Sequence, residues 1–121
     1  MPPVPAAPSR GDIWDVRLEP VEGHEQGGIR PALILSADTF NAGPREMAMI
    51  VPLTTRHRAE LDSFRVKVER PNGGLSQTSY VIPDQIRALS TRRLVGTSRR
   101  GRIPAKQLAE VEDRLRVLLN L

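Results

Sequence analysis

The apolar residues of this chain come in short runs, and that most narrows what it can fold into. The longest occupy residues 32–35, between Pro31 and Ser36, and residues 47–53, interrupted by Pro52. Runs of this length suit strands buried on both faces, and they fall far short of the ~18 residues that a membrane-spanning helix needs. Residues 12–18 alternate, with Trp14, Val16 and Leu18 on one face and Ile13 on the other. Residues 31–36 and 47–53 read as buried strands, and residues 64–68 as a strand with one wet face. Residues 80–82 and 85–89 read as strands broken at Pro83-Asp84. Asn41, Gly43 and Pro44 mark residues 37–44 as a turn, and residues 71–74 supply another.

Only at the C-terminal end does the period change. Pro104 suits a first helical turn, and Leu108, Val111, Leu115 and Leu118 recur at spacings of three and four. Short strands followed by one helix predict a mainly β fold, a small, partly open β-barrel with a C-terminal helix. The helical stripe is core or dimer contact. Pro2, Pro3, Pro5 and Pro8 make residues 1–9 a flexible tail, which leaves one domain over residues 10–121. Gly23, Gly27 and Gly28 make residues 19–30 a loop.

With 18 Lys and Arg against 14 Asp and Glu, the net charge is +4, which suits an anionic partner such as nucleic acid. Between Ile86 and Lys106 there are seven basic residues and no acidic one. The stretch from Arg92 to Arg102 reads as a solvated loop that adds unspecific attraction for phosphate. Cysteine is absent, excluding disulfides, thiolate nucleophiles and zinc ribbons. His24 and His57 lie far apart and form no metal-ligand pair, and no Ser elbow, Walker loop or dinucleotide-binding glycine turn occurs. Two Phe, one Trp and one Tyr are too few for a platform stacking many bases. Nothing at the start resembles a secretory signal, so a cytoplasmic location is expected. Any chemistry must come from fixed hydrogen-bond donors and carboxylates, with no cofactor or metal.

Several blocks of sequence agree, in order and spacing, with one family. Arg10-Gly-Asp-Ile-Trp14 and Gly23-His-Glu-Gln-Gly-Gly-Ile-Arg-Pro-Ala-Leu-Ile-Leu-Ser36 come first. Val51-Pro-Leu-Thr-Thr-Arg56 follows, then Asp84-Gln-Ile-Arg-Ala-Leu-Ser90 with Arg93-Leu94. Together, over about residues 10–120, they resemble the MazF/PemK family of toxin endoribonucleases. The resemblance implies an SH3-like, CcdB-like barrel, a symmetric homodimer and a toxin neutralised by a cognate antitoxin with an acidic C-terminal segment. It implies metal-free cleavage of single-stranded RNA at a short sequence, leaving a 2′,3′-cyclic phosphate and a 5′-hydroxyl. The substrate would be messenger RNA, with transfer or ribosomal RNA as further candidates. By position the family's catalytic arginine falls on Arg30, its threonine on Thr54 and its loop carboxylate on Glu25. His24, Gln26, Arg56, Gln85 and Arg87 would line the RNA groove, and loops 56–64 and 70–78 would set the recognised sequence.

The chemistry suits these residue types. In such a reaction the neighbouring 2′-hydroxyl attacks phosphorus, so the enzyme supplies charge stabilisation and proton transfer rather than a nucleophile. A guanidinium presents paired planar donors to two phosphate oxygens, and a donor placed where charge develops is worth ~3 kcal/mol. A guanidinium holds its proton too tightly to be a well-matched acid, so stabilisation is favoured over the proton donation that family reasoning assigns to Arg30. Glu25 either accepts the 2′-hydroxyl proton or orients that hydroxyl, and either Thr54 or Thr55 faces the phosphate. The other readings are a CcdB-like toxin that poisons gyrase by protein contact, disfavoured because Trp14 is the only tryptophan, and a non-cleaving RNA-binding domain.

Overall fold

A computed structural model describes residues 7–18, 23 and 28–121. It contains β1 (Asp12–Arg17), β2 (Ile29–Ile34), a single helical turn α1 (Asp38–Asn41) and β3 (Met47–Thr54). After these come β4 (Val66–Val68), β5 (Ser79–Val81), β6 (Arg87–Ser90), β7 (Gly101–Arg102) and α2 (Ala105–Leu119). The strands form one antiparallel sheet in the order β4-β5-β3-β2-β1-β7, with β6 pairing to β3.

Strand alternation sends the side chains into two cores. On one face Ile13, Leu33, Val51, Leu53, Val66, Val68 and Val81 pack beneath Leu108, Val111 and Leu115 of α2. On the other, Trp14, Val16, Leu18, Ala32, Ile34, Ala48, Ile50 and Leu89 fill the inside of a curl formed by β1, β2, β3 and β6. A bridge between Val16 and Leu94 brings the chain after β6 back to β1, so this curl nearly closes on itself. The result is the expected partly open β-barrel with a C-terminal helix.

The departures from expectation are local. Residues 37–44 include the helical turn α1, whose Asn41 is buried with its Nδ2 donating to the carbonyls of Pro8 (2.9 Å) and Ser36 (3.1 Å). Of the expected flexible tail, residues 1–6 lie outside the described residues, whereas Pro8 is buried, so the packed chain starts ahead of Arg10. The stretch expected to be a basic loop contains β7, which pairs with the start of β1. There Arg102 and Arg99 donate to Asp12 Oδ1 at 2.8 and 3.3 Å, and Arg100 donates to both oxygens of Asp15 at 3.0 and 3.3 Å. Arg92 lies 3.6 Å from Glu46. Much of this run therefore neutralises carboxylates of its own chain, and Asp12, buried and bonded also to the Ser9 N–H at 2.9 Å, anchors the β1–β7 edge. The helical stripe is half core: Val111 is fully buried, while Val117, Leu118, Leu119 and Leu121 are exposed.

Candidate nucleic-acid site

Arg30 sits on β2 directly opposite Val16 of β1. It has the same parity as Ala32 and Ile34, so it shares their face, but it lies where the small barrel opens and is exposed. Arg30's own strand and its neighbour β3 each carry a proline here, Pro31 and Pro52, with no N–H to donate. The β2–β3 ladder stops at the Ala32–Pro52 pair. Carried two residues further, that register sets Thr54 across from Arg30 on the same face.

Parity also separates the two threonines. Thr54 is buried and accepts the Arg56 N–H through Oγ1 at 3.2 Å, which leaves its O–H to donate elsewhere. Thr55 is exposed and points the other way, into a cleft it shares with Asp15, Ile29, Pro31 and Arg100. Arg87 pairs with Ile50 across β3 and β6, which places it on the Arg30 face. From there its guanidinium donates to the Leu18 carbonyl at 3.2 Å. Leu18 directly follows β1, and its N–H donates to the Gly28 carbonyl at 2.9 Å, next to the start of β2. Arg87 and Arg30 thus flank one rim. Gln85 closes the 3-10 turn Pro83–Gln85 just before β6, half-buried, and Arg56 is exposed just beyond Thr54. Arg30, Gln85 and Arg87 each have an interaction partner. His24, Glu25 and Gln26 lie outside the described residues.

The structure adds residues that sequence reasoning missed. Tyr80 pairs with Thr54 across β3 and β5, and Lys67 pairs with Tyr80 across β5 and β4. Both therefore share the Thr54 face. No local spacing links Thr54 to Tyr80, and only the strand register joins them.

The family model for the PemK-like, MazF-like toxin of type II toxin-antitoxin systems matches residues 9–119. The chain belongs to this toxin family. Over 116 residues it is 34% identical to an endoribonuclease, MazF9, from Mycobacterium tuberculosis, covering 93% of this chain and 96% of that one. It is 36% identical over 111 residues to the endoribonuclease PemK from Escherichia coli, covering 91% and 80%. Among solved structures, MazF from Deinococcus radiodurans superposes with a TM-score of 0.81 at 32% identity, over 95% of the toxin chain and 98% of the neighbour. A MazE-MazF complex from the same organism gives 0.75 at 33% identity, over 95% and 97%. The toxin's partly open barrel is thus the barrel of its relatives. Among the described residues, no helix is long and apolar enough to cross a membrane.

Proposed function

We propose that this toxin is a metal-free endoribonuclease that cuts single-stranded RNA at a short sequence. The observation that supports the reading is that Arg30, Thr54 and Arg87 share one face of the sheet, Arg30 two residues before Ala32 and Thr54 two residues after Pro52, the strand partner of Ala32. Arg30 presents paired donors to the non-bridging oxygens of the scissile phosphate, and Thr54, its acceptor side occupied by Arg56 N–H, donates its hydroxyl proton to one of them. The 2′-oxygen bonds to phosphorus and the bond to the 5′-oxygen breaks. One proton leaves the 2′-hydroxyl and one is taken up by the 5′-oxygen. The step is a transesterification that consumes no water and yields a 2′,3′-cyclic phosphate and a 5′-hydroxyl.

In this reading Glu25, five residues before Arg30, accepts the 2′-hydroxyl proton or orients that hydroxyl. His24, Gln26, Arg56, Gln85 and Arg87 hold the flanking nucleotides. Arginine acts here by stabilising charge, since a guanidinium gives up its proton too reluctantly to suit proton donation. The toxin works in the cytoplasm on messenger RNA, with transfer and ribosomal RNA as further substrates. A cognate antitoxin covers the basic rim with an acidic segment, as charge complementarity favours. The exposed apolar end of α2, with Val117 at 81% and Leu121 at 84% exposure, is covered in a homodimer.

The test incubates purified toxin and an Arg30→Ala variant with RNA in excess chelator, and maps the product ends. The expected result is cleavage by the wild type alone, with a cyclic phosphate at the new 3′ end. A substrate with a single 2′-deoxy sugar at the cut site should survive. Undiminished cleavage by Arg30→Ala, or cleavage of the deoxy substrate, overturns the reading.

A further inference from the structure

Four strands lying side by side carry one rank of residues across the sheet. Lys67 on β4 pairs with Tyr80 on β5, Tyr80 pairs with Thr54 on β3, and the β2–β3 register continued past Ala32–Pro52 brings in Arg30. At ~4.8 Å per strand spacing the rank is roughly 14 Å long. On the β1 side the rank meets buried Val16, opposite Arg30, so its polar members extend beyond Arg30 and Thr54 toward β4.

Along that extension stands an aromatic pair that belongs to neither core. The His57 ring stacks on Tyr80 with centroids 5.0 Å apart and planes 19° from parallel. His57 Nε2–H donates to Asp62 Oδ1 at 2.7 Å, which fixes the ring's orientation. Tyr80 is half-buried and His57 is the more exposed ring. Both line an open cleft of about 480 Å³, together with the cations Arg65, Lys67 and Arg114 and the carboxylates Asp62 and Glu110. The Nε atoms of Arg65 and Arg114 are closed off from solvent without a hydrogen-bond partner among the described residues. An exposed ring stacked on a half-buried one, beside Arg65, Arg114 and a Lys67 that lies 3.5 Å from Glu69 at the exposed surface, offers what a single-stranded nucleic acid requires: a π-face for a base and a charge for the next phosphate.

Resting on the ribonuclease reading above, we propose that the His57–Tyr80 pair is a platform for one nucleobase. The base adjoining the scissile phosphate, on the β4 side, stacks against His57, Tyr80 supports that ring from beneath, and Lys67 meets the phosphate beyond. Recognition at this position is by stacking and charge, so it fixes where the strand lies more than which base is read.

The test uses a single-stranded RNA oligonucleotide carrying the toxin's mapped cleavage site, and copies in which each nucleotide flanking the cut is made abasic in turn. For wild-type toxin, one position next to the cut should raise KM by roughly 5- to 150-fold when its base is removed. His57→Ala should raise KM for the intact oligonucleotide by a similar factor with kcat little changed. It should also abolish the additional penalty at that abasic position alone. His57→Phe, which keeps the ring and loses the Asp62 bond, should restore KM. A merely structural role would raise KM equally for intact and abasic substrates, and that result, or an unchanged KM in His57→Ala, overturns the proposal. Arg30→Ala assayed beside it keeps the two readings apart: if that variant still cuts, the ribonuclease site is wrong whatever His57 does. If only the His57 effects are missing, the site stands and the platform falls.

Discussion

Replacing Thr54 by valine isolates the hydroxyl, because the two side chains have nearly the same shape. Thr54 is 6% exposed, so a smaller residue would leave a cavity, whereas valine fills the same volume. Two interactions go. The first is the bond from Arg56 N–H to Oγ1 at 3.2 Å. Arg56 is exposed, so water can take over that donor, and the loss amounts to about 1 kcal/mol. For a domain of this size that lowers Tm by roughly 3–6 °C. The second is the proposed donation to the phosphate, which strengthens as charge builds in the transition state. Losing one such donor lowers kcat by about 100- to 1,000-fold, while KM changes little because the arginines still hold the ground-state phosphate. Single-turnover cleavage of a fluorogenic RNA oligonucleotide, together with thermal unfolding, separates the two effects. Thr54→Ser should keep most of kcat, and Thr55→Val, altered on the opposite face, should be indistinguishable from wild type. Wild-type kcat in Thr54→Val would refute the role of the hydroxyl. If Thr54→Ser were as inactive as Thr54→Val, the methyl group rather than the hydroxyl would be what matters.

Three further outcomes follow from particular contacts. Arg99 is paired with Asp12, so Arg99→Ala should leave the salt dependence of RNA binding nearly unchanged, whereas Arg87→Ala should flatten the log–log slope by about 0.7; equal slopes for both variants would refute the division. Asp12→Ala strips partners from the Ser9 N–H, Trp14 Nε1–H, Arg99 and Arg102. As the two arginines are half exposed and regain water, the expected loss is about 2–4 kcal/mol by urea unfolding, and a loss below ~0.5 kcal/mol would show the network to be idle. Gly74 has φ +69°, and a Cβ there would sit 2.0 Å from the Arg100 carbonyl oxygen. Gly74→Ala should therefore cost ~2–4 kcal/mol through both the backbone and the clash, and an unchanged Tm would mean that this turn can shift.

Much of the fold was legible because short-range physics dictates it. The alternation Trp14, Val16, Leu18 specifies a strand with a defined inward face, and all three do share one core. Prolines and glycines specify where strands stop. The helix from Ala105 follows from a leucine and valine stripe that α2 lays over the sheet. The basic stretch was misread because its charge can be counted along the chain while its partners cannot: Asp12 and Asp15 lie more than eighty residues upstream of Arg99 and Arg100. Tyr80 and His57 were passed over for a similar reason. A lone tyrosine in a short strand has no signature of its own.

Residue identity and local pattern thus determined the strands, the helix and the presence of Arg30 and Thr54 within motifs of the toxin family. Tertiary structure decided that Thr54 shares the sheet face of Ala48 and Ile50 while Thr55 takes the other, that Arg99, Arg100 and Arg102 are held by Asp12 and Asp15, and that Tyr80 and Lys67 lie on the Thr54 face. The reason is strand register. Which side chains meet across a sheet depends on pairing between segments far apart in sequence, and a shift of one residue would send each of them to the opposite face.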